Sequence, residues 1–253
     1  MKKSVRFILM GLPFYMILIS CNKELELLKI DTIGDYVPLK IGNTITYQVD
    51  STVYTNLGTV KSIRSYQMRD RIDSLITDNL GRPSYKIRRS VRSFTDTTKW
   101  NDTYSYLITY DSSKQRLELV ENNLRYIKLA SPIATGVQWN GTSFINTSGN
   151  PEIQYLSDWR FVYENARRPF SLNGISYTET ISINQRNDSL GNPSNKNFYF
   201  EINTSKEVYA KSIGLIFREF LHEAWQPANG NSAVGYYEPN SYGIKMSILS
   251  HHF

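Results

Sequence analysis

Period-two alternation of apolar and polar residues constrains this chain more than any other feature. In residues 43–54, "NTITYQVDSTVY", Ile45, Tyr47, Val49 and Val53 fall on one side and Thr44, Thr46, Gln48, Asp50 and Thr52 on the other. Successive strand side chains point to opposite faces, so this pattern is a half-buried strand. Residues 65–76 repeat it, with Tyr66, Met68, Ile72 and Ile76 set against Gln67, Arg69, Arg71 and Asp73. Residues 84–94 set Tyr85, Ile87 and Val91 against Lys86, Arg88 and Arg92. Between them "DNLGRP" is turn chemistry, with Gly81 free to take positive φ and Pro83 stopping the ladder. The pair predicts a hairpin.

Further strands are expected at 104–110, 116–121, 125–129, 137–144 (bent at Gly141) and 241–249. Asn173-Gly174 is a strong hairpin signal. Residues 175–186 and 196–205 flank the turn-rich "NDSLGNPSN". Residues 208–225 fit both alternation and a helical stripe, and Gly214 with its strand neighbours favours a strand. Residues 152–168 leave a short helix and a strand both open. Strands joined by short polar turns make an antiparallel meander, which must close or pack to bury its apolar face. The expected fold is all-β, a meander curved into a lipocalin-like barrel or half-barrel, with a two-sheet sandwich as the alternative. A membrane-spanning barrel is not expected, because the non-core faces carry Arg, Lys and Asp.

The start of the chain is an address. Lys2, Lys3 and Arg6 precede a 14-residue apolar stretch, residues 7–20, interrupted by Gly11 and Pro13. That is short of a bilayer-spanning helix and has the layout of a secretory signal. It ends in Leu18, Ile19, Ser20 and Cys21, the sole cysteine. This resembles the bacterial lipobox, in which the Cys takes a diacylglycerol and becomes the first mature residue; several acyl chains on one residue make a durable anchor. A buried thiol is the alternative. The expected organisation is a signal peptide over 1–20, a tether over 21–35 and one β-rich domain over 36–253. Asn22, in place of an aspartate, favours the outer membrane. "NKELE" resembles the export tag of surface lipoproteins, with Leu25 interrupting the acids. Losing three basic and no acidic residues with the signal takes the formal charge from +6 to +3, which removes most of the compositional case for nucleic acid. Lipidation at Cys21 also removes thiol catalysis and cysteine metal sites.

Tyr36, Pro38, Leu39, Gly42, Asn43 and Tyr47 open the domain. Together with residues 126–141 and 208–220 they resemble a group of Bacteroidota lipoproteins that begin in this way after the lipidated Cys. The resemblance implies a surface or periplasm-facing lipoprotein and carries over no catalytic residue.

Chemical signatures are few. Phosphate-loop, dinucleotide, nucleophile-elbow and zincin patterns are absent from the sequence. His222 has no second internal histidine to complete a metal site, and His251 and His252 sit where fraying is expected. Asp96, Asp102, Glu201 and Glu219 are available carboxylates, but spacing selects no pair. No cofactor, metal or catalytic residue is therefore assigned. Arg69, Arg71, Lys86, Arg88 and Arg92 form a basic stripe, read either as an anion-binding face or as cross-strand ion pairs. Among 18 Tyr and four Trp, Trp100, Trp159 and Trp225 fall near strand ends and are the ligand-contact candidates, with plain packing as the alternative. The expected function is a non-catalytic protein held to the membrane by acyl chains and binding a glycan, lipid or protein partner. An assembly subunit and a glycan- or lipid-acting hydrolase are the alternatives.

Overall fold

The computed structural model describes residues 31–95, 99–230 and 232–253. Cys21 and the expected signal lie outside the described residues. Asp31–Phe253 is one compact unit. After a one-turn helix, α1 (Ile33–Tyr36), the meander runs through β1 (Thr44–Thr55), β2 (Val60–Thr77), β3 (Pro83–Ser93), β4 (Asn101–Asp111), β5 (Arg116–Glu121), β6 (Leu124–Ala130) and β7 (Gln138–Asn140). It continues through β8 (Arg160–Leu172), β9 (Ile175–Leu190), β10 (Phe200–Ala210), β11 (Gly214–Gln226), β12 (Tyr236–Tyr237) and β13 (Tyr242–His252).

The strands follow one another antiparallel in the order β6-β5-β4-β3-β2-β1-β13-β11-β10-β9-β8-β7, with β12 appended to β11. The last strand pairs with the first, so His251 and His252 are laddered to Ile45 and Thr44 rather than frayed. The sheet is a nearly closed barrel. Its seam lies between β6 and β7, where Ile127 N donates to Gly141 O at 2.9 Å and Trp139 Nε1 donates to Ile127 O at 2.8 Å. Tyr163 adds two bonds to the backbone of Ala130. Gly141 permits this approach, since a Cβ there would meet the Phe161 ring at 2.4 Å. Closure answers the edge problem that an open meander of this length would present.

The expected 137–144 strand is only three residues long, because the chain turns at Gly141 to make the seam. Residues 152–168 hold both of the open alternatives: a 3-10 turn, Pro151–Leu156, precedes β8. Of residues 208–225, the stretch from Gly214 on is strand, as expected, but 208–210 end the preceding strand and 211–213 form the turn between the two. One facing is corrected. A bulge between Ile72 and Ser74 makes Asp73 the extra residue, so Ile76 turns to the outside and is 37% exposed. Bulges shift the phase of a strand in this way.

Both barrel ends are covered. Residues 31–39 cross the end where β1 begins. Ile33 and Tyr36 are fully buried, Asp31 binds Arg167 and Lys211, and Ser212 N donates to Asp35 O. The last residues of the expected tether are thus docked against the domain. At the opposite end Tyr155 stacks on His222 at 3.8 Å and Trp159 on Phe220 at 5.9 Å. Among the described residues no helix is long and apolar enough to cross a membrane.

Candidate functional site

The barrel interior carries charge at positions where the strand pattern calls for apolar groups. Asp70 lies in phase with Met68 and Ile72, Arg89 with Ile87 and Val91, and Glu121 with Leu117 and Leu119. Asp70 and Arg89 are direct cross-strand partners, joined by two bonds of 2.8 Å. Arg89 continues to Glu121 at 2.7 Å, and Tyr104 and Tyr106 donate to Glu121 and Asp70. On the facing wall Glu207 is paired with Arg218. Lys128 of β6 reaches Glu207 of β10 at 2.5 Å, and Arg218 of β11 approaches Glu121 of β5 at 3.8 Å. These strands are not neighbours in the sheet, so the contacts tie opposite walls together. Three cations and three carboxylates form a belt with no net charge.

Burial alone would push the Glu121 and Glu207 carboxyls up, but Arg89 and Arg218 beside the first, and Lys128 and Arg218 beside the second, hold both below the usual range. Burial lowers the Lys128 ammonium against the pull of Glu207. The pattern is the expected one for buried charges that survive by pairing.

The belt separates two chambers. The lower is about 100 Å³ and largely aliphatic, with Ile45, Ile72, Ile87, Ile108, Leu119 and Leu215 in its wall, Asp70 and Lys128 at its inner end, and Val37–Leu39 across its mouth. The upper is about 80 Å³ and polar, reaching Arg218, Gln185, Ser205 and Glu121 among aromatic rings.

The candidates from sequence are distributed differently. Trp159 is 2% exposed and bonded through Nε1 to Tyr155 O, but it is among the residues that line the upper chamber. Trp225 is 7% exposed, packed between Phe200 and Tyr237 under Lys196, so it offers no open stacking face. Trp100 sits on the outer wall, clasped by Arg69 and Arg92 with guanidinium carbons 4.5 and 4.4 Å from its ring. The three tryptophans are not gathered into one site: Trp100 precedes β4 on the outer wall, Trp159 precedes β8, and Trp225 lies in β11. The basic stripe is mostly consumed: Arg88 bridges Asp73 and Asp102, and Arg69 and Arg92 hold Trp100. His222 is buried and bonded through Nδ1 to Asn203.

Asp102 is bonded to Ser90 and Arg88, Glu201 to Tyr199 and Asn203, and Glu219 faces outward opposite Lys206 and Lys245. Asp96 lies outside the described residues. Among the described residues no group of three His, Cys, Asp or Glu side chains is arranged to hold a metal. The belt residues were missed because alternation was read for its apolar members. The signal that finds them is a charge in phase with the core. No protein-family model and no curated protein matches this chain, so the reading of the site rests on its geometry.

Proposed function

We propose that this chain is a lipid-anchored protein of the outer membrane or cell surface whose barrel holds a small ligand without transforming it. The observation that carries the binding part is the divided interior: a charged belt with a small chamber on either side. A barrel with a purely structural role gains most from a filled core. A buried belt of ions is, by itself, weak evidence for stability. The aliphatic lower chamber suits a short hydrocarbon group, being smaller than the roughly 150 Å³ engineered cavities that take benzene. The anchor rests on the lipobox at Cys21, and the membrane is the first partner through its acyl chains.

Two measurements test this. Cys21→Ala is expected to release the protein from membranes, and unchanged pelleting would remove the anchor. Short n-alkanols titrated into the lipidated protein are expected to saturate, and Ile87→Trp to abolish that binding by filling the lower chamber. No saturable binding, together with an empty lower chamber in a ligand-soaked crystal, would remove it.

A second reading, a subunit of a surface assembly, is supported by the β1–β2 hairpin. Its tip presents Leu57 at 96% and Ile63 at 68% exposure, and Tyr54 and Lys61 brace it on Glu223. A clean monomer after mild crosslinking on cells would exclude it.

A further inference from the structure

The upper chamber holds hydrogen-bonding capacity that the protein does not use. Gln185 is the extra residue of a bulge in β9, because Arg186 pairs with Ser205 while Asn184 pairs with Lys206. It is 3% exposed. Its Oε1 accepts from Ser205 Oγ at 2.7 Å, and its Nε2 has no partner. Arg218 is in the same condition. Its buried Nε is unpartnered, with Glu207 Oε1 at 3.6 Å and Glu121 Oε2 at 3.8 Å from the guanidinium, beyond hydrogen-bond reach. Glu121 accepts from Arg89 and Tyr104 through Oε1, so Oε2 keeps only that longer contact. Buried donors are seldom left unmet in folded proteins, and each that is calls for an explanation.

These groups select among ligands. An apolar ligand would leave both donors unmet. An anion would bring uncompensated charge beside a belt whose three cations and three carboxylates already balance, and would stand close to Glu121 and Glu207. A hydroxyl both donates and accepts, which fits two donors and one free carboxylate oxygen. The walls include Tyr126, Tyr155, Trp159 and Phe220, aromatic groups that give an apolar surface for the C–H edge of a ring. Asn122 and Tyr242, both exposed, stand at the rim. A chamber of about 80 Å³ admits a few heavy atoms and no oligomer.

We propose that the upper chamber binds the hydroxylated edge of a single neutral sugar or polyol, with Arg218 and Gln185 donating to its oxygens and Glu121 Oε2 accepting from one hydroxyl. This rests on the reading that the barrel interior binds a ligand and names the class for one of its two chambers.

The test is ligand-observed NMR on the lipidated protein in phospholipid nanodiscs. The probes are glucose, galactose, mannose and xylitol, with glucuronate as an anionic arm and n-butanol reporting on the lower chamber. At least one neutral probe is expected to saturate and to change Trp159 fluorescence. Gln185→Met and the near-isosteric Gln185→Glu, each checked for fold by circular dichroism, are expected to weaken that binding at least tenfold and to leave n-butanol unchanged. Tighter binding of glucuronate than of any neutral probe would overturn the proposal. So would undiminished binding in a folded Gln185 variant, or no polyol binding with ordered water only in the chamber. Loss of n-butanol binding alone would count against the lower chamber and leave this site standing.

Discussion

Two networks of three basic and three acidic residues, one outside the barrel wall and one across its interior, are built differently. The outer one gathers Asp78, Asp111 and Glu118 around Arg82, Arg116 and Arg125. Arg82 alone makes five side-chain bonds, at 2.7–3.2 Å. Glu118 is fully buried and accepts from all three arginines. Yet the arginines keep 17–24% of their side-chain surface in water. The inner belt has its Lys128–Glu207 pair at 6% and 1% exposure and leaves Arg218 without a close acceptor. The saturated network is a clasp on the β2–β3 and β4–β5 turns that also ties β5 to β6. The unsaturated one borders the chambers, which is why the proposed ligand sites lie inside.

The largest expected effect comes from breaking the inner belt. Glu207→Leu removes the close partner of Lys128, whose side chain is 6% exposed, and removing one partner of a buried pair costs about 3–5 kcal/mol. Glu118→Gln in the outer clasp leaves arginines that reach water by small rotations, so about 1–3 kcal/mol is expected. Urea denaturation of the two variants measures the difference. Equal losses would mean that the inner ions are better solvated than their burial implies.

The seam gives the next effect. Gly141→Ala places a methyl against Phe161, whose ring is itself buried. Overpacking of this kind costs about 1–3 kcal/mol. Amide exchange should rise first at Ile127, which donates across the seam. An effect spread evenly over all strands would show that the barrel does not depend on this closure.

Acid tests the outer clasp through its carboxyls. Asp111 is held down to about 2, by bonds from Ser113, Lys114 and Arg82. Burial would raise Asp78 and Glu118, but Arg82 on the first, and Arg82, Arg125 and Arg116 on the second, lower both. Carboxyls that titrate lower in the folded chain than in the unfolded one stabilise it above their unfolded values of 3.8 and 4.5. That stability is lost as the pH falls toward about 2. Glu118→Gln should flatten the stability profile below pH 4.5. An unchanged slope would assign acid sensitivity elsewhere.

Much of the barrel was legible in the sequence because period two and turn chemistry are local. The hairpin at 78–83, the Asn173-Gly174 turn and the strand that opens at Gly214 all follow from neighbours along the chain. Closure was not legible. The pairing of β1 with β13 and the seam at Gly141 join residues far apart in sequence. The bulges at Asp73 and Gln185 shift phase without a compositional mark. The belt was half legible: Asp70 and Arg89 interrupt apolar faces in plain view, but only the folded chain brings Lys128 to Glu207 and Arg218 toward Glu121. Trp159 and Trp225 show the converse. Their position near strand ends suggested open rings, whereas the ends of this barrel are covered.

The smallest expected effect concerns His222, just above the belt and outside its ion pairs. Burial lowers its imidazole below 6.5, against the weaker opposing influence of Glu201, Glu238, Asn240 and Glu223. Its ring lies flat on Tyr155 and bonds Asn203, so the neutral form is the one that fits. The unfolded chain then takes up a proton at about 6.5 before the folded one does. Stability should fall as the pH drops below that value and level off once the folded ring is protonated, with a slope of at most about 1.4 kcal/mol per pH unit for one proton. His222→Gln should remove this slope while leaving the steeper loss below pH 4.5 intact. If both disappear together, the inner and outer networks are coupled through the wall. If neither changes, the imidazole is protonated alike in both states, and stacking on Tyr155 is all that the position contributes.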